Sequence, residues 1–220
     1  MKKLHVIILF ILYSGLLMAQ PGRPPFWDDI QAFKKQDSIH FPAPKQILFV
    51  GSSSFTMWQN LQEYFPGFPV LNRGFGGSSL SDLVYYSKDV MVRYHPKQIV
   101  IYCGENDFAS SDTVTVERVV KRFEELFSLI RASDRNVFIS YVSMKPSPSR
   151  KRLLTKFVSA NKAIELFLKK QKLTSFIMVF DKMLNANGTM RDDLYLEDEL
   201  HMNLKGYAIW QKEILPHLRK

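Results

Sequence analysis

The 220-residue sequence contains a single cysteine, Cys103, so it cannot form an internal disulfide bond. It also contains no internal repeat and no low-complexity linker, and its length suits one sizeable domain. The stretch "GFGGSS" is not a dinucleotide-binding fingerprint, because Ser79 stands where the third glycine would be. The nucleophile elbow G-x-S-x-G is absent too, since Phe55 occupies its last position. These absences exclude a disulfide-stapled scaffold and argue against two common kinds of site.

The one long apolar run lies at the N-terminus, where "MKK" precedes "LHVIILFILYSGLLM" and the small Ala19. This pattern predicts a secretory signal peptide at residues 1–19, and therefore export to the periplasm or the extracellular space. The run is shorter than the roughly 20 apolar residues that span a bilayer, so we expect no stable membrane anchor after cleavage. A retained N-terminal anchor is the alternative. No cysteine lies near Ala19, which argues against a lipoprotein cleavage site.

Charge gives little support for a polyanionic partner. The chain has 30 basic and 21 acidic side chains, and removal of residues 1–19 takes away two lysines and no acid. The remaining basic residues are scattered apart from "SRKR" (149–152) and "KKQK" (169–172), which fall in predicted helices. Solvated helix faces account for both clusters, so we expect no nucleic-acid partner. The sequence does not indicate an oligomeric state.

Five apolar runs of strand length alternate with segments of helical periodicity. The runs are at 46–50, 69–72, 98–103, 136–142 and 175–180. The helical segments, in which apolar residues recur at three- and four-residue steps, are at 79–94, 116–133, 152–172 and 203–220. Nearly all-apolar strands that alternate with helices predict a five-stranded parallel sheet between two helical layers, a three-layer α/β/α sandwich. We expect residues 46–220 to form this domain and residues 20–45, rich in proline and charge, to pack on its outside.

Ligand sites in such sheets lie beyond the carboxyl ends of the strands. Four loops there carry polar residues: "GSSS" (51–54), "NRGFGGSS" (72–79), "GENDF" (104–108) and "EDELHMN" (197–203). Taken alone, each could be a turn or a helix cap. The hydroxyls of the first loop are open to three interpretations, namely a helix cap, a phosphate cradle or a nucleophile.

Together the loops fit nucleophilic catalysis. A serine hydroxyl needs a base to remove its proton, and a histidine base needs an acid to hold its tautomer. "DELH" supplies Asp198 and His201 at a spacing that places both side chains on one side of a turn. An oxyanion formed during attack needs preorganised donors, which the Gly77 N–H and the Asn106 side-chain amide can supply.

These blocks resemble the SGNH hydrolases, the GDSL-type esterase/lipase family, and most of all its platelet-activating-factor acetylhydrolase-like branch. Gly51-Ser52-Ser53 is similar to the family's Gly-Asp-Ser block, and Gly104–Asp107 is similar to its Gly-x-Asn-Asp block. The resemblance implies a flavodoxin-like fold without cofactor or metal. It also implies site residues, which are Ser53, Asp198 and His201 as catalytic triad and Ser53, Gly77 and Asn106 as oxyanion hole.

Two positions depart from the family pattern. Ser52 replaces the usual aspartate before the nucleophile, so a hydroxyl must remake that residue's hydrogen bonds. Glu199 stands where glycine is common, which constrains the backbone and adds a negative charge. We expect Asp107 to be structural, and Ser54 and Thr56 to cap the following helix.

The resemblance implies an exported serine esterase that forms an acyl-enzyme on Ser53. The absence of a long insertion that could act as a lid favours short, chiefly acetyl, esters of small molecules or of carbohydrates. A lysophospholipase or a thioesterase of the same family, or a catalytically silent glycan-binding member, is the alternative. A flavin-binding protein would use the serines as a phosphate cradle, but it would leave "DELH" and Asn106 without a role.

Overall fold

The computed structural model describes residues 22–220, so the predicted signal peptide lies outside the described residues. Its centre is a five-stranded parallel sheet with the strand order β2-β1-β3-β4-β5. The strands are β1 (Ile47–Gly51), β2 (Val70–Gly74), β3 (Gln98–Tyr102), β4 (Phe138–Val142) and β5 (Thr174–Ile177). All four neighbouring pairs are parallel, which confirms the predicted sheet and its flavodoxin-like topology.

Helices cover both faces of the sheet. The α-helices are α1 (Trp27–Ile39), α2 (Ser53–Thr56), α3 (Leu61–Tyr64), α4 (Leu80–Tyr85), α5 (Ser87–Val90), α6 (Glu105–Ala109), α7 (Val116–Ser133), α8 (Leu154–Lys169) and α9 (Leu204–Ile214). Short 3₁₀ helices lie at Val92–Tyr94, Pro148–Leu153, Asp181–Met183, Asp192–Leu194 and Leu215–His217. No helix between residues 22 and 220 is long and apolar enough to cross a membrane.

Alternation along the strands divides the core in two. Leu48 and Val50 of β1 face a cluster that includes residues of α4, α7 and α8. Ile47 and Phe49 face the opposite cluster, which contains the buried indoles of Trp58 and Trp210. Because both faces of β1 are covered, the strand is apolar throughout, as expected for a parallel sheet.

The long helices lie where the periodicity predicts them. α7 coincides with the predicted segment 116–133, and the Thr115 hydroxyl caps its first turn by accepting from Arg118 N–H. The predicted segment 79–94, however, is not one helix, since α4 ends at Tyr85 and α5 begins at Ser87. Tyr86 lies at the break, and its hydroxyl donates to Pro25 O at 2.6 Å. This contact comes from a distant part of the chain, so helical periodicity does not reveal it.

Residues 22–45 run along the outside of the domain. Ile30 of α1 is buried in the core cluster that also contains Val50. Asp37 is buried on the same helix, where it accepts from Arg73 at 2.5 Å and from the Tyr94 hydroxyl at 2.6 Å. An apolar contact and a buried ion pair therefore attach α1 to the sheet.

Candidate active site

The first polar loop begins where β1 ends. Gly51 has a φ of +141°, and a Cβ built on it would lie 1.8 Å from the carbonyl oxygen of Tyr102, so only glycine fits there. The chain then turns directly into α2, whose first residue is the half-buried Ser53. The tight exit from the strand therefore leaves the Ser53 hydroxyl at the carboxyl edge of the sheet.

The loop before α9 brings a histidine and an acid to this hydroxyl. His201 Nε2 lies 2.9 Å from Ser53 Oγ, although 148 positions separate the two residues in the chain. On the other side of the ring, Nδ1 lies 2.5 Å from Asp198 Oδ2. The structure thus places the three residues proposed as the triad in one continuous hydrogen-bonded chain.

Asp198 is held in its ionised form. Desolvation raises the pKa of its carboxyl, but this effect is outweighed by hydrogen bonds from the His201 side chain and from the N–H groups of His201 and Leu200. The net result is a pKa lowered to about 2. An ionised acid beside Nδ1 keeps the proton on that nitrogen, so Nε2 is free to accept the serine proton.

The loop that carries Asp198 and His201 is strained and clamped. Glu199 has a φ of +56°, a left-handed conformation that costs a non-glycine residue of order 1 kcal/mol. Its carbonyl oxygen accepts two hydrogen bonds from Ser149, one from N–H at 3.1 Å and one from Oγ at 3.0 Å. At the base of the loop, Leu196 N–H donates to His201 O at 2.8 Å. The clamp maintains a conformation that glycine would adopt without strain.

The second polar loop lies against the nucleophile. A Cβ built on Gly76 would lie 3.8 Å from Ser53 Cβ, and the next residue, Gly77, is exposed with a φ of +84°. Neither the Gly77 N–H nor the Ser53 N–H donates to another group among residues 22–220. Both donors proposed for the backbone part of an oxyanion hole are therefore available to a ligand.

The third proposed donor, Asn106, is engaged. Its Nδ2 donates to Ser52 Oγ at 2.6 Å and to Ser78 O at 3.1 Å. Both acceptors lie beside the proposed site, since Ser52 precedes Ser53 and Ser78 follows Gly77. The amide therefore links the first and second polar loops, and it forms no hydrogen bond with Ser53 itself.

A buried polar network lies next to Asn106. The neighbouring Glu105 accepts from the Tyr102 hydroxyl, from Lys145 N–H at 3.1 Å and from Lys145 Nζ at 3.3 Å. Lys145 is only 1% exposed, so its ammonium depends on this carboxylate for charge compensation. The next residue, Pro146, accepts a hydrogen bond from the Tyr195 hydroxyl. The segment after β4 thus contacts both the Asn106 loop and the approach to the Asp198 loop.

Asp107 has the contacts of a structural residue. Its carboxylate is completely buried, accepts from Leu80 N–H at 2.9 Å and pairs with Arg122 at 2.7 Å. Burial raises the pKa of this carboxyl, and the two hydrogen bonds oppose that effect. Asp107 therefore joins the Asn106 loop to the start of α4 and to α7.

Four residues near the site have roles that the sequence analysis either predicted wrongly or did not predict. The prediction that Ser54 and Thr56 cap a helix is wrong, because both lie inside α2, whose N-cap residue Ser52 makes no side-chain cap. The roles of Lys145 and Ser149 were missed. The stretch "SMKPSPSR" (143–150) follows a predicted strand, as three of the polar loops do. The position of Lys145 so close to a buried strand could have indicated that this loop also contributes to the site.

Among residues 22–220, no group of three or more histidine, cysteine, aspartate or glutamate side chains could hold a metal ion. The groups that meet at the candidate site are the Ser53 hydroxyl, the His201 imidazole and the Asp198 carboxylate, with backbone N–H donors beside them.

The profile of the GDSL-like lipase/acylhydrolase family matches residues 46–209. The chain belongs to this hydrolase family. The match covers every strand of the sheet and all four polar loops, from Gly51 to His201. No curated protein sequence matches the chain.

Solved structures of other proteins have a similar fold. A protein from Streptococcus pneumonia, named for platelet activating factor, is 21% identical over 87% of this chain and 92% of its own, with a TM-score of 0.75. A GDSL-like lipase from Bacteroides thetaiotaomicron is 19% identical over 86% of this chain and 96% of its own, with a TM-score of 0.73. A mutant acetyl-xylooligosaccharide esterase from Geobacillus Stearmophilus is 13% identical over 80% and 94%, with a TM-score of 0.63.

Proposed function

We propose that this family member is an exported serine esterase that removes short acyl groups, chiefly acetyl, from small molecules or carbohydrates. The observation that carries the proposal is the continuous chain from Asp198 through His201 to Ser53, with contacts of 2.5 and 2.9 Å. These residues have the order of partners that activates a serine hydroxyl. Beside them, the N–H groups of Ser53 and Gly77, which donate to no group between residues 22 and 220, suit a developing oxyanion.

The reaction follows from this arrangement. Ser53 Oγ attacks the ester carbonyl carbon while His201 Nε2 takes the serine proton, and the resulting imidazolium is stabilised by Asp198. Collapse of the tetrahedral intermediate breaks the bond to the alcohol oxygen, which leaves with the proton from His201. Water then attacks the acyl-enzyme, gives a proton to His201 and releases the acid as Ser53 recovers its proton.

The proposed substrate rests on two points. The stretches between the polar loops contain the elements of the sheet and its helices, without an inserted segment that could enclose a long acyl chain. Among proteins of similar fold are an acetyl-xylooligosaccharide esterase and family 3 carbohydrate esterases from Talaromyces cellulolyticus and Clostridium thermocellum. We therefore propose acetylated glycans outside the cytoplasm as the substrates, and lysophospholipids and thioesters are the alternatives.

The test is a hydrolysis screen of the purified chain over aryl esters of two, four and eight carbons, an acetylated oligosaccharide, a lysophospholipid and an acyl thioester. We expect kcat/KM to be highest for the acetyl esters and to be lost in Ser53→Ala. Ser54→Ala, a change of the same size one residue along, should retain most of the activity. A preference for the eight-carbon ester or the lysophospholipid would contradict the acetyl assignment, and an active Ser53→Ala would contradict the nucleophile.

A further inference from the structure

Residues 22–45 precede the part of the chain that the family profile matches, yet they reach the candidate site. A Cβ built on Gly77 would lie 3.7 Å from Cε1 of Phe26. Phe26 also packs edge-on against Phe75 of the same loop, with ring centroids 5.3 Å apart. Since Gly76 lies against Ser53, the Phe26 ring is separated from the nucleophile only by the width of this glycine turn.

The backbone around Phe26 is fixed in an unusual conformation. Phe26 has a φ of +62°, and a bulky residue adopts this left-handed region only when its surroundings require it. The preceding residue, Pro25, accepts a 2.6 Å hydrogen bond from the Tyr86 hydroxyl. The segment is therefore attached to the domain at the edge of the Gly77 loop.

Two exposed aromatic residues adjoin these contacts along the chain. Trp27 is 38% exposed and Tyr85 is 68% exposed, which are high values for such large rings. Trp27 follows Phe26 directly in the chain, and Tyr85 packs edge-on at 4.7 Å against Tyr86, whose hydroxyl donates to Pro25 O. Together, Phe26, Trp27 and Tyr85 form what we call the aromatic rim.

The charges near the aromatic rim indicate what it can bind. The exposed carboxylates of Asp28 and Asp29 follow Trp27 directly in the first turn of α1, and the nearby Arg23 pairs with Asp28 at 3.2 Å. Carboxylates accept hydrogen bonds from hydroxyl groups and repel anionic groups. Aromatic faces, in turn, attract the C–H faces of a ring. A neutral ring with many hydroxyls satisfies both requirements better than a fatty chain or an acidic polymer.

We propose that the aromatic rim is a subsite for the pyranose rings of a neutral glycan ester, and that it binds the alcohol part of the substrate. This inference rests on the proposed esterase function. An acetyl group is too small to extend from Ser53 past the Gly77 turn, so the part of the substrate that reaches Phe26 is the alcohol. The N-terminal segment thereby supplies substrate specificity to a site built entirely from residues 46–220.

Binding can be measured without turnover in the Ser53→Ala variant. Of the three tryptophans, Trp58 and Trp210 are 2% and 0% exposed, so Trp27 is the one that a bound glycan can contact. We expect acetylated xylotriose to change the tryptophan fluorescence of Ser53→Ala in a saturable way. The same titration of Ser53→Ala/Trp27→Phe should show no change. Saturable binding with an unchanged signal and affinity in the second protein would overturn the proposal.

Kinetics separate this inference from the proposed function. In Trp27→Ala and Tyr85→Ala, we expect KM for acetylated xylotriose to rise about 5- to 10-fold more than KM for a two-carbon aryl ester, as the loss of a stacking contact predicts. Phe41→Ala is the matched control, because Phe41 is an exposed aromatic of the same segment that stacks on Tyr94 at its other end. This variant should keep the wild-type ratio.

The other possible kinetic results test either the glycan subsite or the esterase function. If the wild-type protein hydrolyses the aryl ester but no acetylated oligosaccharide, the subsite is wrong and the esterase stands. The subsite is equally wrong if Trp27→Ala selectively loses a lysophospholipid instead of the glycan. Inactivity on every ester would contradict the proposed function itself. Melting curves of all variants show whether a loss reflects unfolding.

Discussion

The side-chain amide of Asn106 donates a 2.6 Å hydrogen bond to the hydroxyl of Ser52, the residue before the proposed nucleophile. Its other bond, to Ser78 O at 3.1 Å, ties it to the loop that carries Gly77. Ser52 stands where an aspartate is usual in the family, so in this chain a neutral hydroxyl accepts the bond from the amide. Together the two acceptors fix the position of the Asn106 amide beside the proposed nucleophile.

Ser52 should therefore influence catalysis through Asn106. In Ser52→Ala, the amide loses one of its two acceptors, and we expect kcat to fall about tenfold with little change in KM. Ser52→Asp restores an acceptor and should retain more activity than alanine does. In an Asn106→Ala background, Ser52→Ala should have no further effect on kcat. Additive losses in this double-mutant cycle would show that Ser52 acts by another route.

The contribution of Asn106 is open to direct measurement. Asn106→Ala removes one of three proposed oxyanion donors and should lower kcat about 10²- to 10³-fold, which corresponds to roughly 3 to 4 kcal/mol. Asn106→Asp puts a negative charge beside the forming oxyanion, so it should be worse than alanine. The control is Asp107→Asn, which alters the adjacent buried carboxylate and should act mainly on urea stability. Equal kcat in Asn106→Ala and wild type would leave the backbone N–H groups as the whole oxyanion hole.

The lowered pKa of Asp198 predicts a particular pH dependence of stability. Because the folded pKa of about 2 lies below the usual value of about 3.9, the stabilisation is present above pH 4 and is lost as the pH falls through 2. The free-energy difference between wild type and Asp198→Asn in urea unfolding should therefore be largest above pH 4 and shrink towards pH 2. Since the Asp198 side chain is 48% exposed, we expect the difference to be small. A difference that grows on acidification would have the wrong sign.

The same pair governs the pH profile of activity. His201 accepts the serine proton only when its ring is neutral, so kcat/KM should rise with pH and then level off. In Asp198→Asn, the plateau value of kcat/KM should fall by orders of magnitude. Replacing the triad aspartate of a serine protease by asparagine lowers kcat by about 10⁴-fold. A profile that is flat from pH 5 to 8 in the wild type would argue against a histidine base.

Much of this architecture could be predicted from local sequence. The strands are apolar because both faces of the sheet are covered, and α7 has 18 residues of regular periodicity with a cap at Thr115. Parallel strands end at one edge, so polar loops after successive strands were expected to meet there. The hydrogen bond between His201 and Ser53 is the structural counterpart of that expectation.

The remaining features depend on contacts between distant parts of the chain. The break at Tyr86 involves Pro25, the acceptor of Asn106 lies 54 positions away, and Lys145 pairs with a residue 40 positions away. Periodicity and turn chemistry describe neighbours along the chain, so they carry no signal for such pairs. The contact between Phe26 and Gly77 could not be predicted from the sequence for the same reason.

The buried pair of Lys145 and Glu105 should contribute strongly to stability, because each charge is nearly inaccessible to water. Lys145→Met leaves the carboxylate uncompensated and should lower the free energy of unfolding by about 3 to 5 kcal/mol in urea at pH 7. Adding Glu105→Gln removes the orphan charge and should recover much of that loss. Lys162→Met is the matched control, because Lys162 pairs with Glu165 on the surface and should cost less than about 1 kcal/mol. Equal losses in Lys145→Met and Lys162→Met would mean that the buried pair adds nothing beyond an exposed one.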